Sequence, residues 1–224
     1  MSVDRPRIVY RFHLAEGLEE IVLEFDPEDF TLCERPDLTP PDWAALEFHK
    51  CGHCPLNQAE HPTCPFAVAL SRYVKSFGHL DSYQEVDIEV ETETRTVKAH
   101  KPLQSGIASL VGLIGATSGC PHLAFYRPMA RFHSPFADEQ ETLYRVLSMF
   151  TVQSLFAGNK PDFADLGEVM TAVGDVNAAM ADRVRSGFDK DAMVNAIVTL
   201  DFFAMNVPLE IDTQFDSIRF LFKG

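Results

Sequence analysis

Cys51, Cys54, Cys64 and Cys120 are the residues whose type and spacing best suit a chemical task in this sequence. Cys51 and Cys54 bracket Gly52 and His53, a gap that lets both sulfurs of one tight turn reach the same ion, and Gly52 permits the turn's backbone angles. Cys64 follows in Cys64-Pro65-Phe66, and Cys120 in Ser118-Gly119-Cys120-Pro121-His122. Cys54, Cys64 and Cys120 each precede a proline, the favoured first residue of a helix, so the pattern places each sulfur at or near a helix N-terminus. There the helix dipole stabilises the thiolate, the form that binds metal. The expected site is therefore a thiolate cluster of Cys51, Cys54, Cys64 and Cys120 holding zinc.

Four thiolates around one dication carry a net charge of about −2, which calls for positive surroundings. From Thr94 to Ala137 there is no Asp or Glu, while Arg95, Lys98, Lys101, Arg127 and Arg131 fall inside that stretch with His100, His122 and His133. Other occupants and roles stay open. His61, His122 or His133 could replace one sulfur, and an iron-sulfur cluster also uses four thiolates, although the spacing matches none of the ferredoxin patterns. Cys51-Gly52-His53-Cys54 has the letters of the protein disulfide isomerase tetrad, but Pro55 and then His61-Pro62 interrupt the long helix that a redox site of that kind needs. The cysteines could also be reduced core residues, as isolated Cys33 is expected to be.

His122, Arg127, Arg131 and His133 form a second candidate, either a pocket for a small anion, an active site with a histidine acid or base, or support around the metal. Whether the chain is an enzyme is left open: there is no nucleophile elbow, phosphate-binding glycine loop or metalloprotease helix motif. A closed four-thiolate site stabilises a fold and does not activate water.

A formal charge of −14 and a pI near 4.9 repel phosphate backbones, so no nucleic-acid partner is expected. The start, Met1 to Arg7, lacks a signal-peptide pattern. The longest apolar stretch, Gly106 to Ala116, is shorter than the roughly 20 residues of a membrane span, so no membrane partner is expected. A cytoplasmic location with reduced thiols follows, and there clustered cysteines bind metal more often than they form disulfides.

The elements that must carry these residues are legible from periodicity. Ile8, Tyr10, Phe12 and Leu14 alternate, as do Ile21, Leu23 and Phe25 after a turn at Glu16-Gly17, which predicts a β-hairpin. Residues 26–42 read as a loop with a short strand at Phe30 to Cys33, and Trp43 to Lys50 reads as a strand leading into Cys51. Phe66, Leu70, Tyr73, Val74 and Phe77 have helical spacing. A second hairpin pairs Glu85–Glu91 with Arg95–Lys101; a turn at Glu93-Thr94 sets Glu89 opposite Lys98 and Asp87 opposite His100.

From Pro102 the pattern is helical. Leu103, Ile107, Leu110, Val111 and Ile114 make one stripe of a central buried helix, and Gly106, Gly112 and Gly115 leave another face thin. Asp138 with Glu141 opens a helix on Leu143, Val146, Leu147, Phe150 and Ser154; a long helix spans about Asp162 to Arg185; Asp189 caps another to Met205, and a last one follows Pro208. The class is α+β: a β-hairpin-rich half with a cysteine metal knuckle over residues 1–101, and a helical bundle over residues 102–224, packed as one compact unit.

The run from Cys51 to Phe66, with Leu103 to Ser118, SGCPH at Ser118–His122, RPMARFH at Arg127–His133 and PFADEQET at Pro135–Thr142, resembles a family of uncharacterised bacterial proteins of similar length. The resemblance covers roughly the middle half of the chain. It implies a bacterial, cytosolic setting and supplies no catalytic residue. The expectation is a zinc-stabilised binding or interaction module. Its open partners are a homodimer or another protein through the Leu166 to Val184 stripe, and a small anionic ligand at the Cys120 to His133 segment.

Overall fold

The structure is a computed structural model that describes residues 5–33, 39–73, 75–187 and 191–222. Both expected hairpins form. β1 (Arg7–Leu14) pairs with β2 (Gly17–Glu24), and β3 (Glu85–Glu91) with β4 (Thr96–Pro102). They join through β1 and β3 into one antiparallel sheet of order β2-β1-β3-β4. The register of the second hairpin is the expected one, Glu89 opposite Lys98 and Asp87 opposite His100. Opposite charges across the strands select it: Lys98 Nζ donates to Glu89 at 2.7 Å, His100 Nδ1 lies 2.8 Å from Asp87, and Arg11 on β1 donates to Glu20 and Glu91. These pairs leave the opposite face apolar, with Tyr10, Phe12, Val86, Ile88 and Val90 buried.

That face is covered by α2 (Leu103–Thr117), which follows β4 with no intervening loop. Its first amides bond back to the segment before β3, Leu103 to Gln84 and Gln104 to Ser82. Eleven of the 15 residues of α2 are buried, so both its faces are covered, the sheet on one and α6 (Ala192–Asp212) on the other, with α5 (Phe163–Gly187) packed in turn against α6. The three glycines do not share one thin face but meet different neighbours. A Cβ at Gly106 would lie 2.4 Å from Ile88 Cδ1 and 2.7 Å from Phe12 Cε1, and one at Gly115 2.9 Å from Leu123 Cδ1. At Gly112 the nearest atom is Leu200 Cδ2 at 3.4 Å, which leaves room.

α4 (Glu139–Phe156) starts where expected: Asp138 accepts from the Glu141 amide at 2.8 Å, while the Glu141 carboxylate turns away from a reciprocal cap and accepts from Ser134 Oγ. Leu143, Val146 and Phe150 pack with Leu166, Met170, Val207 and Ile218 in a second cluster at the far end of α5. α3 (Arg127–Arg131) and α7 (Asp216–Arg219) are single turns.

Three expectations change. Trp43 to Lys50 is not a strand: a 3-10 turn spans Asp42–Ala44, Phe48 bonds back to Ala45, and His49 takes the left-handed conformation at φ 43°. The helix after Cys64, α1 (Pro65–Ser71), is shorter than expected, with a separate 3-10 turn at Lys75–Phe77; Val74 lies outside the described residues. Pro208 does not divide the last helices but sits within α6, near its end, where it removes only the bond its own amide would give to the preceding turn. The expected cap Asp189 also lies outside the described residues.

The stripe expected to meet a partner is internal, since Leu166, Met170, Val173, Asn177, Met180 and Val184 are all buried. The exposed apolar stripe is instead the outer face of α6: Val198, Phe202, Met205 and Leu209 are 49–63% exposed. By length and composition, with mean hydropathy 1.5, α6 could cross a membrane, although its inner face packs in the core. A search for uninterrupted apolar runs misses it because Asn195, Thr199, Asp201 and Asn206 break the run.

The contrast between the glycines of α2 is testable. Gly106→Ala is expected to cost about 1–3 kcal/mol by overpacking, whereas Gly112→Ala should be neutral or stabilising by up to about 1 kcal/mol; urea unfolding of both reads the difference.

Candidate metal centre

Short backbone pairings bring the first three cysteines together. Ala45 bridges Thr63, Leu46 N–H donates to Pro62 O at 3.0 Å and Cys64 N–H to Ala44 O at 2.8 Å. The chain between thus returns on itself, and Cys64 sits at the base of the loop that carries Cys51 and Cys54. A tight turn closes that pair, with Cys54 N–H donating to Cys51 O at 3.1 Å. Of the three Cys-Pro steps only Cys64 caps an α-helix, α1. Cys120 leads into a 3-10 turn at Leu123–Tyr126, and Cys54 into turns, so the expected repetition at helix N-termini is not found.

Cys120 arrives from the end of α2, whose chain reverses at Gly119 in the left-handed region, φ 85°. The Cys120 amide donates to Ser118 Oγ, and its sulfur accepts from the amides of Leu123 and His122, the kind of bond that favours a thiolate.

All five cysteines are free thiols. The four expected in one site act on one another. Burial, then the charges of Cys54, Cys120 and Cys64, push the Cys51 thiol up to about 12. Burial likewise raises Cys120, against its two amide bonds, with Cys64 and Cys54 adding to the rise. Among the described residues no group of three or more His, Cys, Asp or Glu side chains is arranged to hold a metal ion. The donor chemistry fits a thiophilic cation: the sulfurs are close enough to oppose one another's ionisation, and a cation between them would reverse that opposition.

The positive charge beside the sulfurs comes from α5, not from the acid-free stretch. Arg183, 2% exposed, donates to the carbonyls of Trp43, Ala45 and Leu46 at 2.8, 2.7 and 2.9 Å. Burial disfavours its charge, and Cys64, Cys51 and Cys54 favour it. One turn-multiple earlier on α5, Asp175 lies 3.0 Å from His53 Nδ1. His53 Nε2 is buried without a hydrogen bond, and the ring packs edge-on against His122 at 4.2 Å between centroids, with His122 Nε2 3.2 Å from His53 O. Sequence reasoning missed Arg183, Asp175 and the role of His53. The available signal was Arg183 itself, a charge three residues after Met180 and beside Val184 on the buried stripe.

The other candidate residues are dispersed. Arg127 lies 3.8 Å from Asp29, Arg131 stacks its guanidinium over Phe30 at 5.3 Å, and His61 is exposed. His133 belongs to a separate buried network: its Nε2 is 2.5 Å from Tyr10 Oη, which lies 2.8 Å from Ser109 Oγ, and Arg95 donates to its carbonyl. Burial, with Arg145 and Arg95 nearby, lowers His133 to about 3, so the ring is neutral, and burial keeps Tyr10 protonated. Cys33 is half-buried and outside the cluster.

Replacing Arg183 by Met would remove three hydrogen bonds to carbonyls and the cation beside the sulfurs. It is expected to lower stability by about 3 kcal/mol or more, measured by chemical unfolding.

No curated protein and no solved structure matches the chain. A family model does, over residues 8–223, and the chain belongs to the family it describes, Domain of unknown function (DUF6901).

Proposed function

We propose that the chain is a zinc-stabilised binding module in which Cys51, Cys54, Cys64 and Cys120 hold one zinc ion with a structural role. The observation that supports this reading is that cysteines from three separate segments act on one another, raising Cys51 and Cys120, beside a buried guanidinium acted on by Cys64, Cys51 and Cys54. Reduced core cysteines have no need of a buried cation. With all four positions taken by sulfur, the ion ties the loop at Cys51 and Cys54 to α1 and to the end of α2 and activates no water. His53, held by Asp175, and His122 would steady the loop around the ion.

Protein purified without chelators is expected to contain one zinc per chain and no visible chromophore. Cys54→Ser should lose the metal and melt about 10 °C lower or more, while Cys33→Ser keeps both. A Cys54→Ser protein with wild-type metal content and melting temperature would sink the reading, and iron with a brown chromophore would move it to a cluster.

The pH dependence has a definite sign. Burial and the neighbouring cysteines push the Cys51 thiol up to about 12, and burial raises Cys120, so metal binding at these sulfurs expels protons. Affinity should therefore fall with decreasing pH, by about tenfold per pH unit for each thiol that must deprotonate, as read by competition with a chromogenic chelator.

A further inference from the structure

α2, the segment after α3, α4 and α6 enclose a cavity of about 350 Å³, within the range of small-molecule sites. It exists because one face of α2 carries only small side chains. Ser105, Ala108, Ser109, Gly112 and Ala116 recur at helical spacing, and none is long enough to fill the space toward Leu200 and Phe203. No cysteine lines it, so the metal reading and this one stand apart.

Its walls are mainly apolar, and its polar groups are unusual for a chain with 33 acidic and 19 basic residues. Two lining groups are cations. Lys101 makes no ion pair with a described residue. Arg145 donates Nη2 to the carbonyls of Met129 and Phe132 but lies within ion-pair distance of no described carboxylate. The nearby acids are committed: Asp138 caps α4, and Glu141, which acts on Arg145 from longer range, accepts from Ser134. His133 adds no charge, and its Nδ1 makes no hydrogen bond to a described residue. On α5, Asn177 is 4% exposed, and its Nδ2 acts on Asp201 yet reaches no acceptor at hydrogen-bond distance. Of the lining residues Lys101 and Arg145 are half-buried and Asp138 is exposed.

We propose that this cavity binds a small amphipathic carboxylic acid, its apolar body along the small-residue face of α2 and its carboxylate beside Lys101 and Arg145. The body replaces water on apolar walls, and the anion supplies the charge partner the two cations lack. Lys101 and Arg145 are positioned to select the acid over an uncharged molecule of the same shape.

The test is titration of the full-length protein with decanoate and with decanol, both below their aggregation limits, followed by calorimetry and by methyl NMR. Decanoate is expected to bind about tenfold or more tightly than decanol, and Lys101→Gln, which breaks no internal bond, to weaken it by about threefold or more. In the wild-type protein the Met129 methyl, which lines the cavity, should shift and the Met205 methyl, on the outer face of α6, should not. Thr199→Phe, at the cavity wall, should abolish binding; the wild-type NMR result decides the location if that variant does not fold. No binding of decanoate overturns the proposal. So does decanol binding as tightly as decanoate, so does decanoate binding that is indifferent to Lys101→Gln, and so do shifts confined to Met205.

Discussion

A guanidinium buried without a carboxylate holds the two halves of this molecule in relation. Arg183 reaches from α5 to three carbonyls of the segment before the cysteine loop, and these bonds set the position of residues that have little regular structure of their own. Burying such a charge is unfavourable unless its donors are satisfied and an anion lies near. Three carbonyls meet the first condition. Cys64, Cys51 and Cys54 lie near enough that negative charge on their sulfurs would favour the guanidinium, which ties the chemistry of the sulfurs to the docking of α5.

The same economy of contacts organises α2. Where its small residues face the sheet, they admit Phe12 and Ile88 to the helix backbone; where they face α6, no neighbour fills the gap. One compositional habit thus produces a tight contact on one side and a cavity on the other. The difference lies in the partners, stiff sheet residues against the ends of Leu200 and Phe203.

Period and charge made much of this legible beforehand. Alternation in β1 to β4, the opposite charges of Glu89 and Lys98, the cap at Asp138 and the stripe of α5 each act over a few residues, and each appears as expected. What was not legible depends on long-range partners. Leu46 and Phe48 alternate like a strand, yet no neighbouring strand is there to pair with, and the segment folds back to Pro62 and Thr63 instead. Arg127, Arg131 and His133 are close in sequence but are drawn to Asp29, Phe30 and Tyr10. No local pattern announces those three destinations.

The outer stripe of α6 has a colloidal consequence. Val198, Phe202, Met205 and Leu209 form an apolar seam on a molecule of net charge −14, and that charge pushes copies apart before their seams can meet. The repulsion reaches about 8 Å at physiological salt and shortens as salt is added, while the attraction between apolar faces does not weaken. Ionic strength is therefore the variable that sets how closely two of these molecules approach.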